Sequence, residues 1–463
     1  MQKLFDEVNF LDKRCYDEFG LSEDILMEHA STGMAEYIRE NFAFGSRIII
    51  ACGSGNNGAD GIACARLLHG EYDVSIFYVK KPKSPMALLQ DKRAKSIGVF
   101  ECLELRECDV LVDAVVGTGF KGEFDETLKT IMKKLNALEA FKIACDIPSG
   151  LQSHGECAKE CFRADISLTM GALKKGMYLD EAKEFVGKIK VLDLGVCRTI
   201  YERQSSWNLL DLSDLKLPYR EKKNIHKGSF GHLAVACGSK KGASIISAQS
   251  AFRFGVGLVT LIGFEDIEIP CEIMYSHNLP NNTTALALGM GLGDEFSNLE
   301  LEQFLDNNLP LVADADIFAM GILSTILERE NLVITPHPKE FVSLLKQTNI
   351  AEINVEILQK NRFKYVEEFC RKFPKATLLL KGANVIIAKD GEFFINPHGT
   401  SALSKGGSGD VLSGLVGSLL AQGYAPLESA IHASLAHTKL VLAFDGASFS
   451  LTPTDLILGI NQL

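Results

Sequence analysis

Along the chain, short β-branched or fully apolar runs alternate with longer segments whose apolar positions recur at helical spacing. In the first half such runs fall at 47–52 (RIIIAC), 74–79 (VSIFYV), 110–113 (VLVD), 142–146 (KIACD) and 166–170 (ISLTM). Helical segments lie between them, as at 58–68 and 125–138, and an amphipathic stretch at 22–30 marks residues 1–40 as helical. The series resumes at 231–236, 258–262, 311–313, 332–335, 377–380 and 385–388. Unbroken apolar runs separated by helices predict parallel strands buried on both faces, with the helices as crossovers. Residues 198–227 break this rhythm. They hold the single tryptophan, Trp207, and the charged run 219–227, and show no clean period. The expectation is an α/β protein of two domains, 1–214 and 215–463, neither repeating the other.

Composition narrows the class without adding chemistry. Hydrophobic residues make up 46% and charged residues 23%, as in folded globular chains. Lys and Arg total 48 against 59 for Asp and Glu, a net charge of -11 with no basic block. No nucleic acid partner and no polybasic membrane anchor are expected. Asp6 and Glu7 interrupt what would be a signal core, and no apolar run approaches the ~20 residues that span a bilayer, so a cytoplasmic location is expected. The 12 cysteines are scattered without a C-x-x-C pair and read as reduced, buried thiols. His154, Cys157 and Cys161 lack a fourth nearby ligand for a tetrahedral zinc site.

Chemistry enters at the strand ends. Gly53-Ser-Gly-Asn-Asn-Gly-Ala-Asp-Gly61 follows RIIIAC with G-x-G-x-x-G spacing. Its glycines let the backbone approach a phosphate at a helix N-terminus. A dinucleotide fingerprint also needs a ribose-binding acid about 20 residues on, and the next strand ends in Lys80-Lys81 instead, which disfavours a standard dehydrogenase. Asp113-Ala-Val-Val-Gly-Thr-Gly-Phe-Lys-Gly122 and Asp146-Ile-Pro-Ser-Gly150 follow two further strands. In an open parallel sheet these ends share one crevice, where Asn56, Asn57, Asp60, Asp113, Asp146 and Ser149 would meet. Their hard oxygens suit alkali or alkaline-earth cations.

In this order, N-N-G-x-D-G, D-x-x-x-G-T-G and D-I-P-S-G resemble the N-terminal domain of the NAD(P)H-hydrate epimerases, over most of residues 1–200, with Lys174 and Gly176 beyond. The resemblance implies a Rossmann-like three-layer sandwich and a potassium ion (K+) held partly by Asn57, Asp113 and Ser149. It also implies contact of NAD(P)H hydrate with Asn56, Asn57, Gly58, Ala59 and Asp60, with Gly117, Thr118, Gly119, Phe120, Lys121, Gly122 and Glu123, and with Asp146. Asp146 is then the acid/base group that interconverts the R and S hydrates at C6. Ala59 stands where the family usually has glycine, and its methyl is expected to crowd the loop.

The second half ends in Thr400-Ser-Ala-Leu-Ser-Lys-Gly-Gly-Ser-Gly-Asp410, before an apolar helix at 411–421. Consecutive glycines there expose backbone N–H groups to an anion, and Asp410 can take a proton from a hydroxyl attacking a phosphate. Lys381-Gly-Ala-Asn-Val385, Thr335-Pro-His-Pro-Lys-Glu340, Asp314-Ala-Asp316 and Gly289-Met-Gly-Leu-Gly-Asp294 each follow a strand. G-G-S-G-D resembles ribokinase-like small-molecule kinases, and the whole set is closer to the NAD(P)H-hydrate dehydratases, over about 225–463. The resemblance implies a C-terminal ribokinase-like α/β domain. Lys381, Gly382, Ala383, Asn384, Val385 and Gly409 would hold ADP, with Mg2+ on its phosphates. Gly255, Gly257, Gly291 and His337 would contact the hydrate, and Asp410 would be the base. Lys339, in place of a usual glycine, and Ile317-Phe318 depart from that family.

Together the resemblances imply cofactor repair: the first domain epimerises NAD(P)H hydrate, and the second dehydrates the S form at the expense of ADP, giving NAD(P)H, AMP and phosphate. A homo-oligomer is expected from the family. Two other readings stay open. One is a ribokinase-like kinase of a vitamin precursor or sugar with a regulatory dinucleotide-binding N-terminal domain; the other makes the N-terminal half a non-catalytic binding module.

Overall fold

A computed structural model describes residues 1–221, 223–265 and 267–463. The chain divides into a unit of Gln2–Trp207 and a unit of Asn208–Leu463 with Met1. The division falls a few residues before the expected junction because Leu210, Leu212, Leu215 and Leu217 pack into the second unit's core and Leu210 N donates to Ile395 O at 2.8 Å. Lys222, within the charged run noted above, lies outside the described residues.

In the first unit the apolar runs become one parallel sheet, in the order Phe100–Glu101, Asp73–Tyr78, Arg47–Cys52, Val110–Ala114, Phe141–Cys145, Ile166–Met170, Lys188–Leu192. After the exposed Arg47, RIIIAC is buried throughout because both of its faces are covered. Ile48, Ile50 and Cys52 pack with Met34, Ile38, Ile62 and Leu68 of helices Glu23–Asn41 and Asn56–Leu68. Ile49 and Ala51 pack with Leu128, Met132 and Leu135 of helix Glu126–Ala137 on the other side. Three layers result. Residues 2–5, expected to be helical, instead form strand Gln2–Phe5, parallel to Leu173–Lys174, and the helices of that region are Asn9–Phe19 and Glu23–Asn41.

In the second unit the parallel order runs Met274–Ser276, Leu258–Ile262, His232–Ala236, Ala285–Leu288, Leu311–Ala313, Leu332–Ile334, Thr377–Leu380, continuing antiparallel through Val385–Lys389 and Glu392–Asn396. Helices Lys241–Arg253 and Ser408–Ala421 meet closely, since a Cβ on Gly414 would lie 2.2 Å from Ser247 O. Glu392–Asn396 and Lys188–Leu192 were not expected from the sequence. Lys188–Leu192 reads KIKVL, with its lysines turned to solvent on an edge, where charge discourages further pairing.

Each sheet reverses its strand order once. The reversal lies between Arg47–Cys52 and Val110–Ala114 in one unit, and between His232–Ala236 and Ala285–Leu288 in the other. At such a point the two following loops diverge to opposite faces and leave a crevice at the carboxyl ends of the strands.

Candidate functional site

The glycine loop opens at the first reversal. A Cβ on Gly53 would lie 1.8 Å from Val115 O, and one on Gly58 would lie 2.1 Å from Gly53 O, so backbone crosses backbone where only glycine fits. Helix Asn56–Leu68 starts there and faces a cavity of about 610 Å³. Asn56, Asn57 and Asp60 line it, with Gly117, Thr118, Gly119, Phe120 and Lys121 from the next loop and Asp146 and Lys174 from two more strands. Asp146 takes φ +72°, which Asp tolerates better than most residues but still at a cost. Its Oδ1 accepts from Lys174 Nζ (2.6 Å), Met170 N (3.0 Å) and Thr169 Oγ1 (3.3 Å). That strained turn is held by three donors.

Behind the loops lies a buried polar pair. Ser149 Oγ and N donate to the two oxygens of Asp113 at 2.6 and 2.7 Å, and Val116 N donates to Ser149 Oγ at 2.9 Å. Burial pushes the Asp113 carboxyl up to about 6, against the pull of the Ser149 and Val115 donors. Asn57 Nδ2 is buried without a hydrogen-bond partner among the described residues, beside Gly117.

Some expected residues stand apart from the cavity. Ala59 turns its methyl into an apolar cluster with Met27, Met86 and Ala87, so the loop is not crowded. Gly58 is buried in the helix, while Gly122 and Glu123 face solvent beyond the cavity, Glu123 accepting from Lys159 N at 3.4 Å. Sequence reading missed Asp12, Tyr16 and Glu23, which line the cavity from the two N-terminal helices. Tyr201 OH donates to Asp12 Oδ1 at 2.7 Å, and Asn56 Nδ2 to Glu23 Oε1 at 2.6 Å. The i,i+4 spacing of Asp12 and Tyr16 was the available signal.

In the second unit, Gly407 at φ +89° starts helix Ser408–Ala421, and Asp410 lies in its first turn. Burial pushes Asp410 up to about 6; the Asp314 charge adds to this and Lys381 opposes it. Lys381 Nζ donates to both oxygens of Asp314 at 2.8 and 3.0 Å, and Ser413 Oγ donates to Asp314 at 2.7 Å. A Cβ on Gly409 would lie 3.2 Å from Lys381 Nζ, so the ammonium sits against the glycine turn. The loops are laced together: Lys381 N donates to Pro336 O (3.0 Å), Asp314 N to Leu288 O (3.0 Å) and Gly293 N to Asp316 Oδ2 (3.0 Å). Gly291 at φ +73° packs against Lys240, whose Nζ lies 3.4 Å from Asp316. Asn384 is buried, between the exposed Ala383 and strand Val385–Lys389.

Three expectations change here. Gly255 and Gly257 precede strand Leu258–Ile262 and so stand at its amino end. Gly255 is beside Gln422, at the far end of the 14-residue helix that carries Asp410. At ~1.5 Å per residue that helix spans about 21 Å, so the two glycines are not brought to Asp410. His337 caps helix Pro338–Gln347, its Nδ1 accepting from Lys339 N (3.1 Å) and Glu340 N (3.2 Å), which accounts for its fixed orientation without a ligand. Lys339 is exposed, and Ile317 and Phe318 are buried core residues, so neither departure intrudes on the cluster.

Two α/β units, each with a glycine-opened helix and with aspartates among the loops that follow its parallel strands, place the chain in the class of two-domain α/β proteins whose crevices suit phosphate-bearing ligands. Residues 23–176 match the family described as YjeF-related protein N-terminus, and residues 233–461 match the family described as NAD(P)H-hydrate dehydratase. The chain is 46% identical to the bifunctional NAD(P)H-hydrate repair enzyme of Helicobacter pylori, covering 100% of both chains, and 30% identical to that of Archaeoglobus fulgidus, covering 98% and 97%. The chain belongs to the family of bifunctional NAD(P)H-hydrate repair enzymes. A ribokinase-like superfamily protein from Enterococcus faecalis is 21% identical, with a TM-score of 0.49, over 56% of this chain and 96% of that one.

Proposed function

We propose that the first unit interconverts the R and S forms of NAD(P)H hydrate, and that the second dehydrates the S form with ADP, yielding NAD(P)H, AMP and phosphate. Full-length kinship with bifunctional repair enzymes supports the pairing. The observation that carries the chemistry is Asp410 beside Lys381 at a glycine-opened helix, a base and a cation where a phosphoryl group would sit. Asp410 takes the proton of the C6 hydroxyl as that oxygen attacks the β-phosphoryl of ADP and AMP leaves. The ring-nitrogen lone pair then expels phosphate, a far better leaving group than hydroxide, and loss of a C5 proton restores the reduced ring. Lys381, Gly382, Ala383, Asn384, Val385 and Gly409 would hold ADP, and Gly291 would border the hydrate. Mg2+ carried on the phosphates would neutralise their charge.

In the first unit, Asn56, Asn57, Asp60, Gly117, Thr118, Gly119, Phe120 and Lys121 would contact the hydrate, with Asp146 as acid/base group. Asn57, Asp113 and Ser149 would hold K+. The residues suit it: the buried Asp113 carboxyl has no basic partner among the described residues, and carboxylate, amide and hydroxyl oxygens are the hard donors such a cation takes. Bound there, it would neutralise Asp113 and fix the Ser149 turn. Among the described residues no helix is long and apolar enough to cross a membrane, and a cytoplasmic site of action accompanies the proposal.

The test mixes the purified chain with chemically hydrated NADH and either ADP or ATP. Recovered NADH absorbance with AMP and phosphate supports the proposal. A stable phosphorylated product without NADH would replace it with a kinase. A second measurement addresses the cation. Replacing potassium by tetramethylammonium should lower the melting temperature by on the order of 5 °C, the effect of losing ~2.7 kcal/mol from a ligand held at 100 times its Kd. Asp113→Asn should erase that dependence; equal potassium sensitivity in the variant refutes the assignment.

A further inference from the structure

Epimerisation by loss and return of the C6 hydroxyl needs proton transfer on both faces of the ring, and Asp146 serves only one. The cavity holds three further carboxyls, and two are already engaged: Asp12 accepts from Tyr201, and Glu23 accepts from Asn56. Asp60 differs. It lines the same cavity and is nine-tenths buried, and among the described residues no donor engages its carboxyl; the Ser31 Oγ beside it donates to its main-chain oxygen at 3.1 Å. It sits on helix Asn56–Leu68, a different element from the turn bearing Asp146. An unpartnered carboxyl buried in a ligand cavity is costly unless it is neutral or awaits a partner.

We propose that Asp60 is the second acid/base residue of the epimerase, working as a two-carboxyl pair with Asp146. This rests on the epimerase reading above. With the hydrate bound, protonated Asp60 gives its proton to the C6 hydroxyl on its face. The C6–O bond breaks, water leaves, and the ring-nitrogen lone pair forms a C6=N1 double bond. Water then adds to the opposite face of C6, that double bond's electrons return to nitrogen, and Asp146 accepts the proton shed by the incoming water. The enzyme ends with Asp146 protonated and Asp60 ionised, the form that runs the reverse conversion. Nothing is oxidised or reduced, and one water is exchanged.

The electrostatic setting favours this division. Burial holds the Asp60 carboxyl well above the usual range, and the charges of Asp146, Asp12 and Glu23 add to that, while Lys174 opposes it. Tyr16, Cys64 and Cys145 also feel its charge, and Lys121 lines the cavity wall. Lys174, by contrast, bonds directly to Asp146. One carboxyl is thus left without a donor in the cavity wall and the other is held by an ammonium, an arrangement that suits an acid facing a base.

The test uses the full chain with each purified epimer of NADH hydrate, following epimer interconversion by chromatography. Asp60→Asn keeps the shape and removes the proton; we expect interconversion to fall ~10²–10⁴-fold, the usual worth of one acid/base group, with hydrate affinity changed less than about tenfold. The alkaline limb of the pH–rate profile should vanish in Asp60→Asn and return, displaced, in Asp60→Glu. In ¹⁸O-water each epimerisation should leave one ¹⁸O at C6. A calorimetric melting transition of the first unit matching the parent's reports that the variant is folded; if Asp60→Asn lacks it, Asp60→Ser takes its place. Near-normal interconversion in the folded variant, a loss confined to affinity, or retention of the original oxygen each overturns the inference. A parent chain that fails to interconvert the epimers removes the epimerase reading itself, and Asp60's role with it.

Discussion

Asp410→Asn should lower the rate of hydrate repair ~10²–10⁴-fold below that of the parent while ADP binding persists, if Asp410 is the base of phosphoryl transfer. Asn preserves the side chain's size at the start of helix Ser408–Ala421 and leaves the Lys381–Asp314 pair and Ser413 in place. What it removes is a proton acceptor. Because Asp410 is pushed up to about 6, the parent rate should climb with pH through about 6 and then level, as the ionised form accumulates. The same shift fixes the sign for stability. A carboxyl whose folded value exceeds its unfolded value of 3.8 contributes stability below that value, lost as pH rises through about 6. The melting temperature of Asp410→Asn, measured relative to the parent, should therefore improve from pH 4 to pH 7. Calorimetric titration with ADP, alongside NADH recovery, separates the roles. Lost ADP affinity with unimpaired turnover of bound ADP would make Asp410 a structural residue.

Asp146→Asn should depress epimer interconversion by ~10²–10⁴-fold without unfolding the chain. Asn is among the few residues that accept a left-handed backbone, so the φ of +72° at this turn survives the exchange. Its amide oxygen can still accept from Lys174 Nζ and Met170 N, which holds the turn. Only the charge and the basicity go. Measured on purified epimers, the loss should be in kcat, since the other cavity residues that meet the hydrate are untouched. A variant with parental interconversion would confine Asp146 to anchoring the Lys174 ammonium.

Much of this was legible in the residues because it depends on local physics. An unbroken apolar run such as the IIIAC that follows Arg47 has no polar face to offer water, so it lies inside a covered sheet. Glycines at 53, 58 and 407 sit where backbone meets backbone or φ turns positive, demands that no other residue meets cheaply. Asp113 is the last residue but one of its strand, Asp146 follows one and Asp410 opens a helix, and motif spacing alone put them at these ends. Less was legible where a segment's role depends on a distant partner. Gln2–Phe5 is a strand because Leu173–Lys174 offers it an edge, and Asp12 and Glu23 reach the cavity only because the N-terminal helices pack beside it. His337 looked like a ligand between two prolines, and the fold adds a second task, since its Nδ1 accepts from two backbone N–H groups of the helix it caps.

What the order of residues determined alone was the class of element, the two glycine-opened helices and the family of chemistry, since each follows from interactions within a few positions of the chain. Tertiary structure decided which carboxyls share one low-dielectric space and which are already bonded: Asp60 without a donor among the described residues, Asp146 tied to Lys174, Gly255 stranded a helix length from Asp410. Burial and partnership are properties of neighbours far apart in sequence, and these set a carboxyl's proton affinity.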